Sequence, residues 1–430
     1  MRYDRAVLRR TTLILGVAAG LLLAAAPPAS AVQPYPINFR TVDFGSGVLD
    51  GLVNDNGTLK LATSGLHQSD YTDPFSSVAI LGQHVDGSGS YDYGTWTSPV
   101  YTFNTFAFNE LVSSWNSKTS PGTFIQSEVK PLLDNGHWAK WYILGRWTYS
   151  DADFHRTSVG GQGDADGFVS IDTFFTKDHP AVAYQLRLTI FRRSGSQADA
   201  SVSRYSAVAS NLTNQNSSFP SATTMNGQTV DLHLPQFSQE THHGEYPEFD
   251  NGGEAWCSPT SSAMVVHYWG PNYYPSAQET AWVGFADPEV DYTARYVYDY
   301  HYQGAGNWPF NTAYAAERGL VSDVTQLHNL SEAEPFIKMG VPLVASVAWH
   351  SNKLDGGIKS TNGHLLVIGG FMGDGRVIAY DPASPTNADV RHIYNREQFE
   401  RAWIPASGGI VYVDRTPGHA LPDLTANNSN

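Results

Sequence analysis

The chain has only one cysteine among its 430 residues, so it cannot form an intrachain disulfide. This excludes a small fold held together by disulfides. Basic residues are also few, since 26 Lys and Arg against 41 Asp and Glu give a formal net charge of −15. This charge argues against nucleic acid as a partner, and an anionic membrane surface would repel the chain.

Long apolar runs are missing beyond the first 31 residues. Within that leader, Arg9-Arg10 precede the apolar stretch from Leu13 to Ala26, and Ala29-Ser30-Ala31 follow. The stretch is shorter than the ~20 residues of a spanning helix, and small residues mark a cleavage site, so the pattern predicts a signal peptide over residues 1–31. We expect a secreted, extracellular protein without a membrane anchor, and both Sec and twin-arginine export stay open.

The length of the chain indicates two folded domains. Residues 39–205 show alternating apolar positions between Gly- and Asp-rich turns, which predicts an all-β sandwich domain. Residues 206–228, rich in Asn, Ser and Thr, are expected to be a linker. Helix-like and strand-like runs mix over residues 229–417, which form the second domain, and residues 418–430 are a tail.

The single thiol belongs to Cys257, which stands directly before a helix-like apolar run. We expect Ser258 to be the N-cap and Pro259 the first helical residue. Cys257 then lies at a helix N-terminus, where unpaired N–H groups and the helix dipole stabilise a thiolate. The alternative is a small buried hydrophobic residue, since free cysteines are often buried.

A base and an orienting acid follow later in the chain. His364 opens an apolar strand and Asp381 ends the next one, with the hairpin signal Gly373-Asp374-Gly375 between them. If Gly373-Asp374 is a two-residue loop, His364 falls opposite residue 383. Asp374-Gly375 as the loop would shift the pairing by two residues and weaken the contact, but both registers put His364 and Asp381 on one face. Each residue alone is typical of ordinary structure, but with Cys257 they form the nucleophile, base and orienter that thiol acyl transfer requires.

These segments resemble a known family. The run Cys257–Met264, the Gly363-His364 strand and the strand end Tyr380-Asp381-Pro382 are similar to the catalytic motifs of C39-like peptidases, in the papain-like superfamily. Most of residues 229–417 resembles secreted actinobacterial C39 family peptidases. The resemblance implies an α+β papain-like catalytic domain preceded by the β-sandwich. It also implies four roles: Cys257 as nucleophile, His364 as general base and acid, Asp381 as the group orienting the imidazole, and Gln239 as oxyanion donor.

The chain departs from the family pattern in two places. A Gly- and acid-rich insertion, Glu240 to Ala255, separates Gln239 from Cys257, so it must fold back if Gln239 is to donate. Ser258 stands where many members have Gly, which still leaves a backbone N–H free to donate.

The leading hypothesis is a secreted cysteine peptidase that hydrolyses peptide or isopeptide bonds in an extracellular peptide, protein or peptidoglycan. Transamidation and peptidoglycan cross-link hydrolysis stay open, because the triad fixes the reaction class and not the acceptor. The alternative is a non-catalytic protein that binds cell wall or glycan and carries an inactive papain-like domain. It is motivated by the tryptophans of the β-domain, which include Trp96, Trp115, Trp138, Trp141 and Trp147.

Cofactors and metals are not expected from the sequence. Asp164-Ala-Asp166-Gly167 resembles the start of a calcium loop but lacks the remaining ligands. His242-His243 lie near Glu245 and Glu248, yet adjacent histidines rarely share one tetrahedral site. The sequence therefore predicts no required metal.

Overall fold

A computed structural model describes residues 35–214, 219–351 and 353–423. The predicted signal peptide and the last seven residues of the tail lie outside the described residues. Within these ranges, none of the helices has the length and apolar character that crossing a membrane would require.

The first domain is built from strands. They are β1 (Ile37–Thr41), β2 (Val48–Asp50), β3 (Leu52–Asp55), β4 (Thr58–Leu61), β5 (His67–Tyr71), β6 (Ala79–Ile80), β7 (Gln83–His84), β8 (Gly89–Thr97), β9 (Tyr101–Thr102), β10 (Glu110–Thr119), β11 (Thr123–Leu133), β12 (Tyr142–Trp147), β13 (Gly167–Ser170), β14 (Thr173–Thr176), β15 (Ala181–Arg193) and β16 (Ala200–Ser210). β6 and β7 form a separate hairpin, and the others form two antiparallel sheets.

The two sheets face each other. One has the order β13-β14-β10-β16-β4-β3, with β1 added on β16, and the other has β12-β11-β15-β8-β2, with β5 on β8 and β9 on β15. Ser127 of the second sheet bonds Ser113 (2.8 Å) and Tyr205 (2.7 Å) of the first. On β15, Leu186 and Leu188 are fully buried, as expected from the alternation of apolar and polar residues along the strand. The predicted all-β domain is confirmed.

The tryptophans of this domain divide into two groups. Trp96, Trp115 and Trp147 are fully buried, so they are core residues and cannot stack on a sugar ring. Trp138 and Trp141 are half-buried, beside Lys130. Glycan binding by the β-domain stays a prediction, and only these last two of the five side chains are accessible for it.

The second domain combines helices with one antiparallel sheet. Its elements are β17 (Val230–Asp231), α1 (Cys257–Tyr268), α2 (Pro288–Val297), α3 (Trp308–Glu317), β18 (Val321–Gln326), α4 (Leu330–Lys338), β19 (Leu343–Trp349), β20 (Thr361–Phe371), β21 (Val377–Tyr380), β22 (Arg391–Tyr394), α5 (Arg396–Ser407) and β23 (Ile410–Arg415). The strand order is β18-β23-β19-β20-β21-β22, with β17 on β20. Helix α1 packs against β20, α2 and α3, which confirms the mixed α and β character predicted for this half.

The β20–β21 hairpin differs from the two-residue loop that we expected. Met372 donates to Arg376 (2.9 Å) and Gly375 donates to Met372 (2.8 Å), so the loop has three residues. A bulge between Ile368 and Gly370 then shifts the register by one, and Val367 pairs with Tyr380. Continued toward His364, this pairing sets it opposite residue 383, as predicted, because the bulge compensates for the longer loop.

The two domains are in direct contact. The side-chain amide of Asn116 on β10 donates to the Ser322 carbonyl (2.6 Å) and accepts from its N–H (3.1 Å). Arg204 on β16 pairs with Asp323 on β18 at 2.7 Å. Strand β16 runs to Ser210, so residues 206–210 of the expected linker are strand. The β-domain is therefore packed against the second domain, beside β18.

Candidate active site

Cys257 is the first residue of α1, where the backbone N–H groups have no intrahelical partner. The N-cap is Trp256 and not Ser258, because the chain enters the helix from a 3₁₀ turn, Gly253–Ala255, whose carbonyl at Gly253 accepts from Trp256 N–H (3.0 Å). The Ser258 hydroxyl instead bonds Tyr412 at 3.0 Å and is buried. Cys257 is 9% exposed. The expected N-cap was wrong, but the thiol still lies at a helix N-terminus.

His364 on β20 connects the cysteine to a carboxylate. Its Nε2 lies 2.7 Å from Asp381 Oδ1, and the ring contacts Trp349 edge-on with centroids 6.0 Å apart. Its other ring nitrogen is Nδ1, and Cys257 lies close enough to the imidazole to contribute to the rise of its pKa. The imidazole is 3% exposed. The ring therefore has an acid on one side and the thiol on the other.

Asp381 directly follows β21, and both of its carboxylate oxygens accept hydrogen bonds from the protein. Oδ1 also accepts from Ala383 N–H (3.0 Å), and Oδ2 accepts from the Tyr394 hydroxyl (2.7 Å). Its backbone N–H donates to Val390 at 2.8 Å. With these bonds the carboxylate is fixed in one orientation toward the imidazole.

The charges of this pair favour ionisation of both groups. Burial alone would lower the pKa of His364, but the carboxylate of Asp381, and then Cys257, outweigh it and raise that pKa to about 10. Burial likewise opposes ionisation of Asp381, yet His364, Tyr394 and the Ala383 N–H lower its pKa to about 2. The site can therefore hold an imidazolium beside the sulfur at neutral pH.

Gln239 begins a 3₁₀ turn, Gln239–His242, that runs beside the strand end carrying Asp381. Its N–H donates to the Pro382 carbonyl at 2.8 Å. The turn packs against the turn Gly253–Ala255 that precedes Cys257, so the insertion does fold back. The Gln239 amide is buried and its Nε2 donates to Glu240 (3.1 Å), whereas its Oε1 finds no partner in the described ranges.

Sequence reasoning missed three tyrosines around the site. Tyr394 bonds Asp381, while Tyr302 and Tyr412 lie close enough to Cys257 that its charge adds to burial in raising the pKa of each hydroxyl. Tyr302 is in the loop before α3, Tyr394 on β22 and Tyr412 on β23. No local pattern marks them, because each reaches the site from a separate element.

Comparison with known proteins finds two family models on the chain. Residues 38–210 match the Peptidase C39 N-terminal domain, described for actinobacteria, and residues 231–411 match the Peptidase C39 like family. No curated protein is significantly similar to the chain. The two matches cover the two domains separately, and the second includes all four predicted site residues.

Three solved structures are similar to parts of the chain. A Bacillus anthracis protein described as a C39-like peptidase is 16% identical, with 43% of this chain and 97% of that chain covered and a TM-score of 0.29. TmCBM61 in complex with β-1,4-galactotriose is 9% identical, with 40% and 87% covered and a TM-score of 0.16. The CBM22-1-GH10 modules of Clostridium thermocellum xylanase 10B with xylohexaose are 12% identical, with 48% and 33% covered and a TM-score of 0.19. At these scores the likenesses carry no further conclusion.

Proposed function

The chain belongs to the C39-like peptidases, and from that premise we propose that it is a cysteine peptidase hydrolysing peptide or isopeptide bonds with Cys257, His364 and Asp381. One observation carries the proposal. The imidazole of His364 has Asp381 at 2.7 Å on one nitrogen, and Cys257, at the start of α1, is near enough to help raise the pKa of that imidazole. This is the chain of contacts by which a base activates a nucleophile and is itself oriented.

The first half of the reaction forms a thioester. The Cys257 sulfur, as the thiolate, attacks the carbonyl carbon of the substrate, while its proton resides on His364. The negative oxygen of the tetrahedral intermediate accepts from the free N–H of Cys257 at the start of α1 and from the Gln239 amide. His364 then gives its proton to the departing nitrogen, so the C–N bond breaks and an amine leaves.

The second half regenerates the enzyme. Neutral His364 takes a proton from a water molecule, which attacks the thioester carbonyl. The C–S bond breaks, a carboxylic acid leaves, and the thiolate–imidazolium pair is restored. Asp381 keeps the imidazole in one tautomer and orientation throughout and is not itself protonated.

Gln239 needs one adjustment for its role. In the free protein its Nε2 donates to Glu240, so the amide must turn from that carboxylate to a bound oxyanion. The move exchanges a hydrogen bond to the Glu240 carboxylate for one to the oxyanion, so the amide has a negatively charged acceptor in both positions. Hydrogen bonds of this type commonly tighten only once substrate is bound.

The export pattern of the first 31 residues supports an extracellular setting, and the proposed substrates are therefore extracellular peptides, proteins or peptidoglycan. The acidic charge supports the absence of nucleic acid among the partners. Hydrolysis is proposed over transamidation because water needs no acceptor site of its own.

The test uses the fact that the chain has one thiol. We expect the protein to cleave members of a mixed peptide library, and alkylation by iodoacetamide or the change Cys257→Ala to abolish cleavage. Thr260→Ser, in the next turn of α1, is the matched control, because it keeps the hydroxyl that bonds Trp256. Cleavage that survives in Cys257→Ala would disprove the proposal. Rapid alkylation without cleavage, but with transfer to an added amine, would replace hydrolysis by transamidation.

A further inference from the structure

A second cluster of titratable side chains lies inside the insertion and is not used by the proposed reaction. It consists of His242 and Glu245, both on the insertion, and Asp291 on α2. His242 Nδ1 is 2.7 Å from Glu245 Oε2 and 3.4 Å from Asp291 Oδ2. One ligand atom from each residue lies within 4.8 Å of the others; His242 and Asp291 are buried, and Glu245 is 9% exposed. The cluster therefore has the donor types and spacing of a metal site.

Hydrogen-bond donors are too few to satisfy this cluster. Asp291 is fully buried, and neither of its carboxylate oxygens has a hydrogen-bond partner among the residues that the structure describes. His242 Nδ1 is hydrogen-bonded to Glu245 at 2.7 Å, and within the described part of the chain His242 Nε2 has no partner. Arg295, one turn further along α2, is committed to Asp151 by two bonds of 2.7 and 2.9 Å. A buried carboxylate left in this state is costly unless a cation neutralises it.

We propose that His242, Glu245 and Asp291 bind a divalent transition-metal cation, with Zn²⁺ as the ion that suits them best. One imidazole nitrogen and two carboxylate oxygens form a ligand set typical of zinc, at about 2.0 to 2.2 Å from the ion. Calcium and magnesium prefer sites made of oxygen alone. A cation supplies at once the positive charge that the two carboxylates lack.

The electrostatics of the cluster agree with this assignment. His242 Nδ1 lies 2.7 Å from the Glu245 carboxylate and 3.4 Å from the Asp291 carboxylate, so both acids face the same imidazole. Two carboxylates thus compete for one positive partner when only the protein is present. Metal binding removes the competition, since both can remain ionised as ligands.

The position of the cluster explains what the cation does for the fold. It joins the insertion, through His242 and Glu245, to α2, through Asp291. The turn that ends at His242 begins at Gln239, and the ring of His242 lies 6.0 Å from that of Trp256, the residue before Cys257. The ion is therefore structural: it fixes the fold-back that sets Gln239 near the start of α1.

This inference revises the sequence expectation that no metal is required. That expectation paired His242 with the adjacent His243, which is exposed in the structure. The partner that completes the cluster, Asp291, is on a helix beyond the nucleophile, so the sequence offers no spacing motif for it.

The test measures metal content and thermal stability of the full purified protein after chelation and titration with ZnSO₄. We expect about one zinc per chain after desalting and a Tm increase of about 5 to 10 °C at a hundredfold excess over the dissociation constant. Asp291→Asn should retain at least tenfold less zinc and show no zinc-dependent increase in Tm. Glu254→Gln, an exposed acid of the same insertion, is the matched control and should behave as the unmodified protein.

Metal-free protein provides the check that the variant still folds. Asp291→Asn removes a buried charge that has no partner, so its metal-free Tm should equal or exceed that of the unmodified protein. If Asp291→Asn does not fold, Glu245→Gln takes its place in the same measurements. Absence of bound zinc or manganese and of any metal-dependent Tm change in the unmodified protein would overturn the proposal, as would full zinc retention by the variant. Neither readout depends on peptide cleavage, so the outcome is independent of the proposed function.

Discussion

Replacing Asp381 with asparagine tests how the site stabilises its imidazolium. The pKa of His364 rises from an ordinary 6.5 to about 10, which corresponds to roughly 5 kcal/mol at about 1.36 kcal/mol per pKa unit. Burial works against this rise, so Asp381 and Cys257 together must supply at least that amount, and the carboxylate is the larger contributor. Loss of its charge should then remove at least about 2 to 3 kcal/mol, a factor of roughly 30 to 150 in the thiolate–imidazolium population.

The assay is the rate of iodoacetamide alkylation at Cys257 between pH 6 and 9. Because only the thiolate reacts, the rate for Asp381→Asn near pH 6 to 7 should fall by up to the factor above. Tyr394→Phe is the matched control, since it removes one hydrogen bond from Asp381 and keeps the charge. A single bond to a charged acceptor contributes about 1.5 to 3 kcal/mol to that group, and only part of this reaches the imidazole, so a smaller decrease is expected.

The result that contradicts this reasoning is an Asp381→Asn variant that is folded, by its thermal unfolding, and alkylates at the unmodified rate across the whole pH range. Asp381 would then not be the source of the imidazolium, and the short contact to His364 would be structural only. An equal loss in Asp381→Asn and Tyr394→Phe would show that orientation, rather than charge, is the contribution of the carboxylate.

Three further predictions follow from the same contacts. Gln239→Ala should lower kcat by about 10² to 10³ with little change in KM, the usual effect of removing one oxyanion donor, while exposed Gln228→Ala should leave both unchanged. Asn116→Ala should destabilise the protein by about 2 kcal/mol or more, because it leaves a buried N–H and carbonyl of β18 unpaired. We expect a Tm decrease of about 4 to 8 °C, and no such decrease for the exposed control Asn272→Ala. Because the pKa of His364 is raised by folding, its contribution to the free energy of unfolding is complete below pH 6.5 and is lost as the pH rises toward 10. Urea unfolding at pH 6, 8 and 9.5 should therefore show a decrease in stability with pH. The decrease should be smaller in His364→Ala.

The general organisation of the protein could be predicted from the sequence. Alternating residues such as Leu186 and Leu188 predicted the β-domain, and the structure and the family match confirm it. The resemblance around Cys257 and His364 predicted the C39-like domain, which is likewise confirmed. These features are local, since a strand or a helix start depends on residues a few positions apart.

Some local details were wrong because neighbouring segments act on them. Ser258 was expected to be the N-cap, but the turn before Trp256 carries the chain straight into the helix. The hairpin after β20 has a longer loop than expected, and the bulge beyond Ile368 corrects for it. At the N-cap the preceding 3₁₀ turn fixed the helix start, and in the hairpin the bulge within β20 fixed the register.

The sequence by itself determined that Cys257, His364 and Asp381 occur in the order that the proposed thiol hydrolysis requires. Only the tertiary structure decided what surrounds them: the Tyr394 bond to Asp381, the contact of Asn116 with β18, and the meeting of Asp291 with His242. The physical reason is the range of the interactions. Periodicity and capping act within a few residues, whereas the partner of a buried polar group is whichever distant segment the packed sheet and helices bring within about 3 Å.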